Sequence, residues 1–165
     1  MTPMMTRCLA AAPALLLAPA APSHAQAPAL PAVIHPSPRP DPGEAVNVAR
    51  DGHFYLDAVA NGARLRMLFD TGATRVVIRA EDAPRLGIDP ARLDYRLQTR
   101  TANGTGRAAP VILSTLTVGS ITRRDVPAIV AHPGQLAENL LGQSFLARLP
   151  GYRQNGNQLV LLDRP

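Results

Sequence analysis

Leu65-Arg66-Met67-Leu68-Phe69-Asp70-Thr71-Gly72-Ala73-Thr74-Arg75-Val76-Val77-Ile78 is the stretch on which the reading of this chain turns. Met67, Leu68 and Phe69 read as a buried strand that delivers a carboxylate straight into a bend, and Val76, Val77 and Ile78 carry the chain away again. An ionised side chain is costly to hold beside apolar neighbours unless it is paired or used. Taken alone, Asp70-Thr71-Gly72 is also a tight-turn signature, with Asp and Gly there for turn geometry. The rest of the chain decides between these readings.

Residues 54–60 alternate loosely between apolar and polar, and Asn61-Gly62 is a two-residue hairpin signal. Residues 63–69 alternate with Arg64 and Arg66 on the outer face, so a hairpin runs directly into Asp70. Residues 80–86 predict a short helix, with two acids early and a stop at Gly87. Residues 94–100 and 108–113 flank Thr101-Ala102-Asn103-Gly104-Thr105-Gly106, which reads as the tip of a long hairpin whose small residues move easily. A phosphate-binding loop would need a helix opening after it and usually a Lys, and neither is present. Residues 114–118 and 126–131 predict another hairpin around Gly119-Ser120. Leu140-Leu141-Gly142 then leads to a short helix over 143–149, and Asn155-Gly156 turns the chain into a last strand over 158–162. The halves share one order of hairpin, apolar loop ending in Gly and short helix, an architectural repeat with little letter identity.

The chain of 165 residues suffices for one domain. Apolar residues make up 46% and aromatics only 4%, without Trp, so the core is expected from Ala, Val, Ile and Leu in thin layers. All 17 basic residues are Arg against 12 acids, a formal charge of +5. They are scattered, with Arg123-Arg124 the one adjacent pair, and no basic run is interleaved with aromatics, so a solvated surface is expected and no nucleic-acid partner. His35, His53 and His132 show no ligand spacing, so no metal and no cofactor is expected. Residues 1–25 read as a signal peptide: Arg7, an apolar run from 8 to 21, and Ser23-His24-Ala25 before a cleavage point. Cys8, the single cysteine, leaves with it, and the mature chain then holds no disulfide. Residues 26–43 form a Pro- and Ala-rich linker and residues 44–165 the domain. The expected location is exported, periplasmic or secreted; membrane anchoring by an uncleaved signal segment is the alternative.

Leu68-Phe69-Asp70-Thr71-Gly72-Ala73-Thr74, Val76-Val77-Ile78, the glycine-rich hairpin at Asn103-Gly104, and Asn139-Leu140-Leu141-Gly142-Gln143-Ser144-Phe145-Leu146 come in the order and spacing of a known family. The chain resembles the retropepsin-like aspartic proteases, in particular the short exported bacterial members of that clan. The likeness runs from about residue 46 to 162. It implies a mainly β fold of closed, barrel-like hairpins with short helices, and an obligate dimer.

The resemblance also explains the carboxylate. Peptide hydrolysis by water needs a base for the water and an acid for the carbonyl oxygen, and two adjacent carboxyls sharing one proton supply both. This chain carries one Asp-Thr-Gly, so the pair would come from Asp70 of two chains across a two-fold axis. By the resemblance, Asp70 is catalytic, Thr71 bonds across the dimer, Gly72 permits close approach, and Ala73 and Thr74 complete the loop. Ala102, Asn103, Gly104, Thr105 and Gly106 form a flap over an extended peptide or protein substrate. Leu140, Leu141 and Gly142 pack behind the site, and residues 158–162 are a candidate for an inter-chain sheet. Ala73 stands where pepsin-like relatives carry Ser or Thr, so a weakly acidic rather than strongly acidic activity optimum is expected. The implied function is an aspartic endopeptidase; the alternative is a catalytically silent peptide-binding or dimerisation module on the same fold. An aspartate-nucleophile phosphatase would want a second Asp where Gly72 stands.

Overall fold

The structure, a computed structural model, describes residues 42–101 and 104–163. It is mainly β, built from ten strands: β1 (Pro42–Asn47), β2 (Tyr55–Ala60), β3 (Ala63–Phe69), β4 (Val76–Ile78), β5 (Leu97–Thr101), β6 (Gly104–Val118), β7 (Ile121–Ala131), β8 (Asn139–Leu141), β9 (Gly151–Asn155) and β10 (Gln158–Leu162). A single-turn helix, α1 (Gln143–Leu146), follows β8.

The opening hairpin forms where its sequence predicts it. Asn61 and Gly62 have φ of +47° and +85°, the paired positive values of a type I′ turn that matches strand twist. Asn61 also reaches away from the turn. Its N–H donates to the Thr115 carbonyl at 3.0 Å and its Nδ2 to the Leu86 carbonyl at 3.3 Å. In β3, Leu65 and Met67 are buried and Arg64 and Arg66 exposed, the expected alternation.

Seven strands run in the order β2-β3-β8-β4-β7-β6-β5, and a further pairing of β2 with β6 closes the first six into a barrel. Closure leaves β5 outside the ring, attached only to the far half of β6. Residues 108–113 and 114–118, which read as two separate strands, are one strand of 15 residues, β6. Its length lets it serve β5, β7 and β2 in turn. The core is mostly aliphatic, with Leu56, Ile78, Leu113, Leu116, Ile121 and Leu141 among its fully enclosed side chains, and Phe54 and Phe145 are its buried aromatics among the described residues. Val46 and the buried Leu159 and Leu161 place a second, three-stranded sheet, ordered β1-β10-β9, against this core.

Some local expectations are corrected. Residues 80–86 hold only one 3-10 turn, Ala83–Leu86, because Pro84 stands at its start and can continue no bonding from before. Gly87 does stop it, at φ +75°. Glu81 and Asp82 lie ahead of the turn and bond to other segments. The helix expected over 143–149 is regular only over Gln143–Leu146. β1 includes Pro42 and Gly43, two residues of the segment read as linker. Pro is tolerated there because β1 is an edge strand, and the register shifts between Pro42 and Glu44. The two halves do share an architecture: β3 runs parallel to β8 and β4 parallel to β7.

Candidate active site

Asp70 leaves the end of β3 with its backbone still held, its N–H donating to the Leu141 carbonyl at 3.2 Å. The carboxylate turns back on its own loop. Oδ1 accepts from the Gly72 N–H at 2.8 Å and the Ala73 N–H at 3.3 Å. Two donors on one oxygen orient the carboxylate without any cation. Asp70 is half-buried, while Thr71 and Gly72 are exposed at the surface. The turn geometry proposed for Asp-Thr-Gly is therefore real, and it serves to aim the carboxylate.

The strand that makes this loop rigid comes from the other half of the chain. β8 inserts between β3 and β4, parallel to the first and antiparallel to the second, so Leu140 and Leu141 lie directly behind the bend. A Cβ on Gly142 would overlap the Arg75 carbonyl oxygen and sit 2.7 Å from that of Ala73. Only a hydrogen fits. That proximity lets the Gln143 N–H donate to the Ala73 carbonyl at 2.8 Å. Gln143 Nε2 donates to the Thr71 carbonyl at 3.1 Å, and the Val76 N–H donates to Ser144 Oγ at 2.9 Å. Leu140 and Leu141 thus lie between the two strands that carry the Asp70 loop, and Gly142 follows against its Ala73 and Arg75 carbonyls. Gln143 and Ser144 were given no role from sequence, and their one signal was position, immediately after Leu-Leu-Gly.

Asn139 was likewise missed. It is buried, and its side chain accepts from the Arg79 N–H at 2.9 Å while donating to the Arg66 carbonyl and to Asp82 at 2.9 Å. It joins the strand entering the loop to the strand leaving it. Asp82 in turn faces Arg85 at 3.3 Å and Arg79 at 3.6 Å.

The flap-like hairpin is present as β5 and β6, with Thr101 opposite Gly104. Ala102 and Asn103 lie outside the described residues. Gly104 has φ +114°, a value side chains rarely adopt. Thr105 is exposed. Gly106 matters differently from the mobility expected of it, since an added Cβ would lie 2.9 Å from Gln135 Oε1 and 3.0 Å from Thr99 Oγ1. Gln135 belongs to the loop after β7, and its Oε1 accepts from the Arg107 N–H at 2.8 Å. The His132 N–H donates to the Arg107 carbonyl at 2.8 Å, so both main-chain groups of Arg107 are tied to this loop. The loop is braced from behind, where Glu81 accepts from the Gly134 N–H at 3.1 Å. Its own N–H, the Gly134 N–H and then Arg79 hold the Glu81 carboxyl below the usual range.

Among the described residues no three His, Cys, Asp or Glu side chains gather as a metal site. Several guanidinia are spent on main-chain carbonyls: Arg85 on Arg64, Arg123 on Arg148, and Arg148 on both Arg124 and Asp125.

Residues 56–148, from β2 through the Asp70 loop and α1, match the family described as "gag-polyprotein putative aspartyl protease". The chain belongs to the retropepsin-like aspartic protease family. A retropepsin-like aspartic protease from Rickettsia conorii is 34% identical, with a TM-score of 0.66 over 73% of this chain and 89% of that one. The protease of EIAV, solved with an inhibitor, is 19% identical with a TM-score of 0.51, covers 67% of this chain and all of its own, and shares the fold. An uncharacterized protein of a Sinorhizobium species is 42% identical over 113 residues, 68% of this chain and 48% of its own. One from Rickettsia prowazekii is 38% identical over 113 residues, 67% and 47% respectively. The chain thus spans about half the length of the curated relatives it matches.

Proposed function

We propose that this retropepsin-like chain is an aspartic endopeptidase that works as a homodimer, cleaving peptide bonds in extended peptides or unfolded protein segments. The observation that carries the reading is the carboxylate of Asp70, aimed by two N–H donors on a loop that Gly142, Gln143 and Ser144 hold in place. Such immobilisation is what proton transfer in a fixed geometry requires. One Asp70 per chain supplies half of an acid–base pair, and a second copy supplies the other half. One carboxylate removes a proton from water as its oxygen attacks the peptide carbonyl carbon, and the partner's carboxyl protonates the carbonyl oxygen. Collapse of the resulting diol breaks the C–N bond, with a proton passing to the leaving nitrogen. The β5–β6 hairpin closes over the substrate and reduces competing solvent. The order of residues 1–25 supports export to the periplasm or beyond.

The deciding experiment incubates the full-length protein with a diverse peptide library beside Asp70→Asn. The Asn side chain still offers Oδ1 to the Gly72 and Ala73 N–H groups, so fold and assembly persist, while it cannot exchange the proton. Cleavage by wild type alone is the expected result. Equal cleavage by a clean Asp70→Asn preparation overturns the assignment. Peptide binding without turnover by wild type would instead support the silent-module alternative.

A further inference from the structure

The arginines that alternate outward along β3 line a cavity of about 440 Å³ on the outer face of the barrel, a volume in the range of small-molecule sites. Its floor crosses three strands. Asp57 stands opposite Arg66 and Val59 opposite Arg64, and Val59 is also paired with Thr117 of β6. Arg85, from the 3-10 turn after β4, reaches in from the side, so three guanidinia and one carboxylate line the space. Asp70 follows just past the far end of β3, roughly 20 Å from Arg64 at the rise of an extended strand. The cavity is therefore separate from the Asp70 loop.

The three arginines are held differently. Arg85 is pinned, its Nη2 donating to the Arg64 carbonyl at 2.7 Å and its Nη1 to Asp82 at 3.3 Å. Asp82 is also shared with Arg79 at 3.6 Å and with Asn139 Nδ2 at 2.9 Å, so it offsets only part of the Arg85 charge. Arg66 leans along the sheet onto the Tyr55 ring, its guanidinium carbon 4.0 Å from the centroid, rather than meeting Asp57. A guanidinium resting on an aromatic face keeps its N–H edge free to donate. Arg64 is exposed, and among the described residues neither its guanidinium nor the Asp57 carboxylate has a hydrogen-bond or ion-pair partner. The Glu44 carboxylate lies over Gly119, at the β6 rim, which concentrates the positive charge on the β3 side.

We infer that this cavity binds a small organic anion carrying two or more carboxylate or phosphate groups. Arg64, Arg66 and Arg85 present their donors from separate points of the wall, so different oxyanion groups of one ligand meet different guanidinia through charge-assisted hydrogen bonds. Arg66 and Arg85 are already positioned, which reduces the side-chain freedom lost on binding. Val59, 37% exposed, offers an apolar surface to the carbon frame of the ligand. Asp57 accepts from a hydroxyl or amine on that frame, and so favours an organic anion over a bare inorganic one. The inference is independent of the chemistry proposed for Asp70.

The test is isothermal titration calorimetry of the full-length protein with citrate and with fructose 1,6-bisphosphate, at low ionic strength because exposed charges are screened by salt. Arg64→Gln and Arg85→Gln are titrated beside it, together with Arg153→Gln, a matched loss of one charge at an exposed position of β9 in the other sheet. Saturable binding of at least one probe is expected, and the tighter of the two identifies carboxylate or phosphate as the preferred group. Arg64→Gln and Arg85→Gln should each weaken it by about tenfold or more, the scale of one charge-assisted hydrogen bond, while Arg153→Gln leaves it unchanged. Arg64→Gln breaks no hydrogen bond or ion pair among the described residues, since only the Arg64 carbonyl meets Arg85, and it carries the test if Arg85→Gln lowers the urea midpoint. No saturable binding of either probe at millimolar concentration, or equal weakening by Arg153→Gln, overturns the site. Neither outcome touches the assignment of Asp70, which the peptide-library experiment decides.

Discussion

At the scale of the residue, the position with least freedom is Gly142. Its φ of −98° suits any amino acid, so the constraint is space: the carbonyls of Ala73 and Arg75 occupy the volume of a Cβ. Both belong to the loop that aims Asp70. Gly142→Ala therefore has to push that loop outward, at a cost of about 1–3 kcal/mol for overpacking. The expected result is a lower urea midpoint with unchanged slope, together with a fall in kcat larger than any rise in KM, since the carboxylate is displaced. Normal kcat in a destabilised Gly142→Ala protein would separate Gly142 from the aim of the carboxylate. Gly106 is a second glycine kept small by a neighbour, and there the neighbour is the side chain of Gln135.

At the scale of the element, the flap hairpin depends on the loop between β7 and β8. Gln135→Ala removes the acceptor for the Arg107 N–H, a bond contributing about 1 kcal/mol. Amide exchange at Arg107 should then speed up by roughly fivefold, with exchange in the barrel core unaltered. Equal acceleration throughout would mean global destabilisation and would remove Gln135 as a specific flap anchor. The brace behind this loop is pH-dependent. The Glu81 carboxyl is held below its ordinary value of 4.5 in the folded state, chiefly by its own N–H and that of Gly134. A lowered folded value means that the stabilisation is complete above about pH 4.5 and fades as pH falls through the folded value. Wild type should thus exceed Glu81→Gln in urea midpoint at pH 7 by a small margin, and the two should converge as acid protonates the folded carboxyl, below pH 4.5. A constant gap across that range would show that the charge of Glu81 plays no part.

At the scale of the whole molecule, the proposed pairing of Asp70 from two chains would make concentration a variable of the chemistry. Specific activity should fall on dilution once the chain concentration drops below the dimer dissociation constant, and adding inactive Asp70→Asn chains to wild type should suppress activity by forming mixed dimers. Activity per chain that is independent of both would contradict a shared site. The six-stranded barrel pairs its own edges by closing β2 on β6, and the small β1-β10-β9 sheet stays separate from that ring. What the letters alone determined were the features set by neighbours in the chain. The Asn61-Gly62 hairpin, the span of β3 and its burial alternation, the Gly87 stop, the span of β10 and the aliphatic core all follow from backbone preference and period-two burial. Those interactions act over a few residues, so spacing displays them. The order of strands was decided only in three dimensions. The insertion of β8 between β3 and β4 sets Asn139 against Arg66 and Arg79, Gly142 against Arg75, and Gln143 against Thr71, in each case across some sixty residues or more of chain. The same is true of β10, expected to pair between chains, whose two flanks are filled within the chain by β1 and β9. No periodicity encodes such contacts, because they depend on which open edge lies nearest once the barrel has closed.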